Sequence, residues 1–162
     1  MAPGRREVSR RTMTRNVLKN FYLFRDAAPD DLAVVEALTS RDRYAASQLV
    51  FREGDEAHAM YLVELGTVAI IKSGSTELAT VGSGGEFGEL AFFDGGRRPA
   101  SARARESTHV LSIPFTGLTA VLARRPSLAL IFYYNASLIL AKRLRQTFAN
   151  LAFCRELNRR HF

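Results

Sequence analysis

Residues 59–85 read AMYLVELGTVAIIKSGSTELATVGSGG and alternate three short β-prone runs with glycine-containing turns. The runs are rich in Val, Ile, Leu and Thr, whereas the turns carry Gly66, Gly74 and the glycine cluster at residues 82–85. Branched and aromatic residues favour strands, and glycine and serine favour the turns between strands. Short strands at near-regular spacing predict a compact antiparallel β unit.

The same pattern extends outward, from residue 44 to residue 114. Because no long helical pattern interrupts it, the segment predicts a β-roll or jelly-roll barrel and argues against a doubly wound α/β sheet. The predicted strands cover residues 48–52, 59–64, 67–72, 77–81, 100–105 and 110–113.

Helical patterns flank the predicted roll on both sides. The apolar residues between Val17 and Phe24 predict one or two helical turns. Pro29 followed by two aspartates is a favourable helix start, and the apolar spacing that follows predicts a helix ending near Ser40. After the roll, residues 115–124 predict a helix, and Pro126 begins another that continues to about Arg160. The predicted fold class is mainly β with flanking helices, an α+β arrangement with N-terminal helices and a long C-terminal helix.

The long C-terminal helix carries an apolar seam that continues through Leu144, Phe148 and Leu151. A helix of about 30 residues is roughly 45 Å long, which exceeds the core that this chain can build. Two interpretations stay open. The seam pairs with another copy of the chain, which is the favoured one, or it folds back over the roll.

Composition and charge favour a cytoplasmic, non-membrane protein with basic ends. The net charge of +7 concentrates in residues 1–20 and 142–162, each with six basic residues and one acidic residue. Such arms attract nucleic acid or anionic lipid, or are simply solvated, and solvation is the favoured interpretation. The single cysteine, Cys154, predicts a reducing compartment. The longest apolar run, residues 128–141, is too short to span a bilayer, and the N-terminus lacks an apolar secretion signal.

Enzyme and metal signatures are absent from the sequence. It contains no G-x-S-x-G nucleophile elbow and no P-loop, because Gly-Lys-Ser/Thr does not occur. His58, His109 and His161 are scattered, without cysteine or carboxylate neighbours at metal-ligand spacing. Glu86 and Glu89 lie three residues apart, a spacing too common to indicate acid–base catalysis. The sequence therefore predicts neither a catalytic residue nor a metal site.

Residues 86–102, EFGELAFFDGGRRPASA, suggest an anion site. Gly88 precedes a single predicted helical turn whose first amides point outward and attract anions. Arg98 follows a flexible glycine pair, and a guanidinium grips phosphate through two parallel hydrogen bonds. Glu89 would repel an anion unless it binds a neutral donor, and a sugar hydroxyl fits that need. The segment thus predicts a site for a cyclic phosphodiester on a ribose.

This segment resembles the phosphate-binding cassette of cyclic-nucleotide-binding domains, a family that includes CRP/FNR regulators, cAMP-dependent kinase regulatory subunits and cyclic-nucleotide-gated channels. The resemblance covers roughly residues 20–150 and implies a cyclic nucleotide as ligand, with no further cofactor. It implies that Glu89 accepts the ribose 2′-hydroxyl, that Arg98 pairs with the cyclic phosphate, and that backbone amides complete the cradle. The candidate site residues are Phe87, Gly88, Glu89, Leu90, Ala91, Arg98, Pro99, Ala100 and Ser101.

Two departures from the family pattern modify that expectation. Pro99 stands where many members have Ala, Ser or Thr, and proline has no N–H to offer the phosphate. Binding is therefore expected to be weakened, and the missing hydroxyl favours cAMP over cGMP. The second departure is that no helix-turn-helix follows the long helix, so DNA binding is not expected.

The sequence is interpreted as a stand-alone cyclic-nucleotide sensor that signals by helix movement to an unidentified protein partner or to its own dimer. Its predicted divisions are a basic flexible arm at residues 1–15, a nucleotide-binding roll at 16–125, and a lid or dimerisation helix with a basic tail at 126–162. The alternatives are a degenerate scaffold that binds only proteins, which Pro99 supports, and a nucleic-acid binder acting through the basic arms.

Overall fold

A computed structural model describes the backbone of residues 17–160 and the side chains of residues 17–156. The predicted basic arm at residues 1–15, and His161 with Phe162, lie outside these described residues. Two 3-10 turns, Leu18–Asn20 and Tyr22–Phe24, precede helix α1, Pro29–Leu38. Helix α2 is Leu90–Asp94, and helices α3, Phe115–Arg124, and α4, Pro126–Arg160, follow the last strand. The strands within the described residues are β1 Ser40–Tyr44, β2 Leu49–Phe51, β3 Ala59–Leu65, β4 Thr67–Lys72, β5 Thr76–Gly82, β6 Glu86–Phe87, β7 Ser101–Ala104 and β8 Thr108–Pro114.

These strands form two four-stranded antiparallel sheets, ordered β1-β8-β3-β6 and β2-β7-β4-β5. The two sheets face each other across an apolar interior, to which Val63 and Val110 contribute from one sheet and Val68 and Ala102 from the other. The predicted fold class, an antiparallel β-roll with N-terminal helices and a long C-terminal helix, is confirmed.

Side chains of β3 point alternately to its two faces and so pack into two hydrophobic clusters. Tyr61 and Val63 point into the interior of the roll, whereas Met60 and Leu62 point to the opposite face. Successive side chains of a strand lie on opposite faces of its sheet, so one strand can serve two cores. The outer face is covered by the 3-10 turns and by α1, α3 and α4, which share the second hydrophobic cluster.

Polar contacts fix the first half of α4 to the rest of the domain. Asn135 is buried on α4 and its Nδ2 donates to the main-chain oxygens of Leu23, at 3.4 Å, and Arg25, at 3.1 Å. Arg125, just before α4, pairs with Asp31 of α1 at 2.6 Å. These contacts satisfy polar groups beside an apolar interface and set how α4 crosses the N-terminal turns.

The second half of α4 extends away from the roll. Arg143 is half-buried, and every side chain from Leu144 to Glu156 is exposed. The predicted seam residues Leu144, Phe148 and Leu151 are therefore not folded back over the roll in this structure. None of the helices formed by residues 17–160 combines the length and the apolar character that a membrane span requires.

Two strands were missed by the sequence pattern. Strand β1 begins at Ser40, so the prediction that β structure starts at residue 44 was wrong. Its sequence, SRDRY, has little β propensity, but five residues of β1 pair with β8 and this ladder fixes their conformation. Strand β6 consists only of Glu86 and Phe87, which pair with β3 and are too few to form a pattern.

Candidate functional site

The site is built around Gly88, which joins β6 to the turn that enters α2. Gly88 has φ +75°, a left-handed conformation that glycine adopts without steric penalty. A Cβ at this position would lie 2.7 Å from Nη1 of Arg98 and 3.3 Å from ring atoms of Phe51 and Tyr61. Glycine is therefore required both by the backbone and by the close approach of Arg98.

Arg98 reaches this turn from the loop before β7 and is only 3% exposed. Its Nη1 donates to the main-chain oxygen of Gly88 at 2.7 Å, and its Nη2 donates to that of Ala59 at 2.6 Å. The guanidinium lies over the ring of Phe51, with Cζ 4.0 Å from the ring centroid. Its own backbone is held by Asp55, whose carbonyl accepts from Arg98 N at 3.0 Å. Arg98 is thus held from both its main chain and its side chain.

The positive charge of Arg98 has no anionic partner in the described part of the chain. Both oxygens that it contacts belong to neutral carbonyls, and among residues 17–156 no carboxylate lies within ion-pairing distance. Its Nε is buried without a hydrogen-bond partner among the described residues. Burial lowers the pKa of the guanidinium, with only partial opposition from Tyr61, Asp55 and Glu89. A buried cation in this state attracts an anion.

Glu89 lies beside Gly88, immediately before α2, and is 2% exposed. Its Oε1 accepts from Nη1 of Arg143, a residue of α4 that is 54 positions away in the sequence. Nη2 of Arg143 donates to both the main-chain oxygen and Oε1 of Glu86, each at 2.9 Å. Burial raises the pKa of the Glu86 carboxyl, an effect that Arg143 opposes and Glu89 reinforces. Two buried carboxylates therefore share one guanidinium.

The geometry brings Gly88, Glu89 and Arg98 together at the end of β6. A family model described as a cyclic nucleotide-binding domain matches residues 41–125, which include this site and most of the roll. The chain belongs to the cyclic nucleotide-binding domain family.

Known relatives share the domain. The Cyclic AMP receptor protein of Thermus thermophilus is 34% identical over 133 residues, which cover 80% of this chain and 60% of that protein. Glutaminase 2 of Bradyrhizobium diazoefficiens is 30% identical over 115 residues, which cover 71% of this chain and 18% of that protein. The solved N-terminal domain of a transcriptional regulator from Streptomyces coelicolor has a TM-score of 0.66 and 30% identity, covering 82% of this chain and 94% of that chain. This chain spans less than two thirds of the length of the first two proteins, so the match concerns a shared domain.

The remaining predicted site residues have different surroundings in this cyclic nucleotide-binding domain. Phe87 is buried and stacked on Tyr61, with ring centroids 5.1 Å apart, so it supports the site from the core. Ala91 and Ala100 are buried, whereas Leu90 is exposed.

Pro99 and Ser101 are already engaged by other residues. Pro99 is exposed, and its carbonyl accepts from Nζ of Lys72 at 2.8 Å. The hydroxyl of Ser101 accepts from the amide of Glu53 at 2.9 Å, a contact that holds the loop.

Sequence reasoning did not find Arg143, Glu86 or the ring of Phe51 as parts of the site. Arg143 stands between Lys142 and Arg145 in a basic stretch, and its sequence neighbours give no sign of which residue turns inward. Helical periodicity offered a partial signal, because Arg143 is four residues after Ile139 and continues the stripe that α4 packs against the domain. The described residues contain no cluster of side chains that could hold a metal ion.

Proposed function

We propose that this chain is a non-enzymatic sensor of a cyclic nucleotide, with cAMP favoured over cGMP. Arg98 binds the cyclic phosphate, and Glu89 accepts a hydrogen bond from the ribose 2′-hydroxyl. The roll at residues 16–125 carries the site, and the helix at residues 126–162 is the lid and the dimer contact. Signalling passes through movement of that helix to a protein partner or within the dimer.

The observation that carries this proposal is the buried, unpaired charge of Arg98. Among the described residues its guanidinium donates hydrogen bonds to neutral carbonyl oxygens, and its Nε has no hydrogen-bond partner there. A phosphodiester supplies one negative charge and acceptor oxygens, which match what this cation lacks. Burying a charge away from water is unfavourable unless the charge is paired. A bound anion therefore stabilises the buried position that Arg98 already has in the fold.

Glu89 supplies the second half of the recognition. A carboxylate near a phosphate site repels the ligand unless it accepts a hydrogen bond from a neutral donor, and the ribose 2′-hydroxyl is such a donor. Glu89 is buried at the end of β6, which leaves its carboxylate in a defined position. The preceding residue, Gly88, accepts a hydrogen bond from Arg98, so Glu89 and Arg98 lie close together.

The preference for cAMP rests on Pro99 and on the relatives. Pro99 provides neither an N–H nor a hydroxyl that could favour a guanine base. The T. thermophilus relative is a cyclic AMP receptor protein. We also infer a cytoplasmic location, for which the support is the single cysteine, Cys154.

The experiment is calorimetric titration of cAMP and cGMP into the wild-type chain, Arg98→Gln and Arg97→Gln. Arg97 is the matched control, because it is exposed and its partners, Gly54 and Glu56, lie on the surface. Losing a hydrogen bond to a charged group costs about 1.5–3 kcal/mol of binding free energy. Arg98→Gln is therefore expected to weaken cAMP binding by more than about tenfold. Arg97→Gln is expected to bind as the wild type does. Unchanged affinity in a folded Arg98→Gln variant would contradict the assignment.

A second candidate is a scaffold of the same fold that binds only proteins. Pro99 favours it, because it removes one amide that the phosphate would otherwise use. A wild-type chain that binds no cyclic nucleotide in the same titration, while remaining folded, would support the scaffold over the sensor.

A further inference from the structure

Arg143 connects α4 to the buried carboxylates of the nucleotide site. Its Nη1 contacts Oε1 of Glu89, and its Nη2 contacts the main-chain oxygen and Oε1 of Glu86. The two carboxylates are almost fully buried, whereas the Arg143 side chain is 39% exposed and covers them from the solvent side. The guanidinium therefore already holds Oε1 of the carboxylate that is proposed to accept the ribose hydroxyl.

Arg143 is also the last side chain of α4 that is not exposed, within the described side chains. Ile139 packs on the hydrophobic core, and every side chain from Leu144 to Glu156 is exposed. The exposed segment beyond Arg143 is therefore joined to this contact through the continuity of the helix. A helix of 13 residues is about 20 Å long, so a small change of angle at Arg143 moves its far end considerably.

The guanidinium has space to move into. A cleft of about 440 Å³ is lined by Arg143 itself and by Glu86, together with Tyr22, Leu138 and Gln146, among others. The Arg143 side chain, which is 39% exposed, borders this cleft and is not enclosed on that side. The contact with Glu89 can thus be broken while the first half of α4 stays anchored by its core residues.

We propose that Arg143 is a latch that competes with the ribose 2′-hydroxyl for Glu89, so that nucleotide binding releases the second half of α4. This inference rests on the proposed function, because it assigns Glu89 to the ribose. A protein that must first break an internal contact binds more weakly, in proportion to the fraction that is open. The latch therefore lowers nucleotide affinity, and the binding energy that opens it is what moves α4.

The test compares cAMP with 2′-deoxy-cAMP in the wild type, Arg143→Gln and Arg145→Gln. Arg145 is the matched control, because it carries the same charge two residues further along α4 and is exposed. Arg143→Gln is expected to bind cAMP about tenfold more tightly. The gain for 2′-deoxy-cAMP is expected to be clearly smaller, because that ligand does not compete for Glu89. Arg145→Gln is expected to change neither affinity.

The ratio of the cAMP and 2′-deoxy-cAMP affinities shows whether Arg143 competes with the ribose for Glu89 or instead helps Glu89 to bind it. If Arg143 instead orients Glu89 toward the ribose, Arg143→Gln weakens cAMP binding and reduces the preference over the deoxy ligand, and the latch is overturned. Equal changes for both ligands also overturn it, because Glu89 would then not be the shared group.

A second measurement does not depend on nucleotide. Hydrogen exchange of α4 amides beyond residue 143, measured without ligand, is expected to be faster in Arg143→Gln than in Arg145→Gln. Equal exchange in the two variants overturns the latch even if cAMP binds. A third outcome is that the wild-type chain fails to bind cAMP while Arg143→Gln still shows the faster exchange. This outcome refutes the proposed function and the competition with ribose, and the contact between Arg143 and Glu89 is then only structural.

Discussion

Gly88 is the residue on which the geometry of the site depends most directly. Its left-handed backbone alone makes alanine unfavourable by about 1–2 kcal/mol. A Cβ would also contact Nη1 of Arg98 at 2.7 Å. We expect Gly88→Ala to destabilise the fold and to weaken cAMP binding, because the guanidinium must shift away from its two carbonyl partners. Denaturant unfolding and calorimetry measure the two effects separately.

Gly74 provides the control that separates backbone strain from the clash. It has φ +79°, close to that of Gly88, but a Cβ there would meet nothing within 4 Å. Gly74→Ala is expected to lose only the backbone contribution and to keep its affinity for cAMP. If both variants lose the same stability and neither loses affinity, Arg98 is not positioned through Gly88.

Residue-scale chemistry was predictable where the participants lie close together in sequence. Gly88, Glu89 and Arg98 fall within one short segment, and the need of a carboxylate for a neutral donor follows from charge alone. Arg143 was not predictable in this way, since its contact with Glu89 spans 54 residues and depends on how α4 is oriented. Only the packing of α4 on the roll and the N-terminal turns sets that orientation.

The buried carboxyl of Glu86, on β6, contacts Arg143 of α4 and makes the free energy of unfolding depend on pH. Burial raises the pKa of its carboxyl above the ordinary value of 4.5, with Arg143 as the main opposing influence. A group whose pKa is raised on folding favours the folded state most at pH values below its ordinary pKa, and this contribution is lost as pH rises through the folded value. Tyr22, Lys142 and Arg143 line the cleft beside Glu86, and Glu89 is its acidic neighbour.

We therefore expect Glu86→Gln to gain stability relative to the wild type as pH rises from below 4.5 to neutrality. The change is about 1.4 kcal/mol for each unit by which the pKa is raised. In an Arg143→Gln background the total difference reached at neutral pH is expected to be larger, because the pKa of Glu86 is raised further once the opposing charge is gone. Urea unfolding at several pH values measures it. A difference that stays flat or shrinks as pH rises would contradict the assigned direction.

At the scale of elements, sequence pattern predicted those whose residues carry their own propensity. The bounds of α3 were predicted without error, and β4 likewise, because both are set by local apolar spacing and flanking proline or glycine. Strand β1 was missed, because its charged residues form a strand only by pairing with β8. The tertiary ladder overrides local preference there.

At the scale of the whole molecule, α4 carries a second apolar face that the domain leaves uncovered. Exposed residues recur at alternating spacings of four and three along α4, which is the heptad pattern of a coiled coil. This face is opposite the one that buries Leu128 and Phe132 in the core. The residues of the uncovered face are Leu130, Tyr134, Ser137, Ala141, Leu144, Phe148 and Leu151.

We expect the chain to dimerise through this face, and Leu144→Glu combined with Phe148→Glu to give a monomer. Two carboxylates placed on each helix of a paired seam bring like charges together and remove apolar burial of about 1.5–3 kcal/mol per side chain. The matched control is Phe153→Glu, because Phe153 is equally exposed but lies on the other side of α4. Light scattering over a concentration series measures the mass of each variant. A wild-type chain that stays monomeric at the highest concentration contradicts the dimer, and a Phe153→Glu variant that dissociates as fully as the double variant contradicts the assigned face.

Because the seam and Arg143 belong to the same helix, a confirmed dimer gives the latch a second effect: releasing Arg143 in one copy changes how its distal helix presents this face to the other.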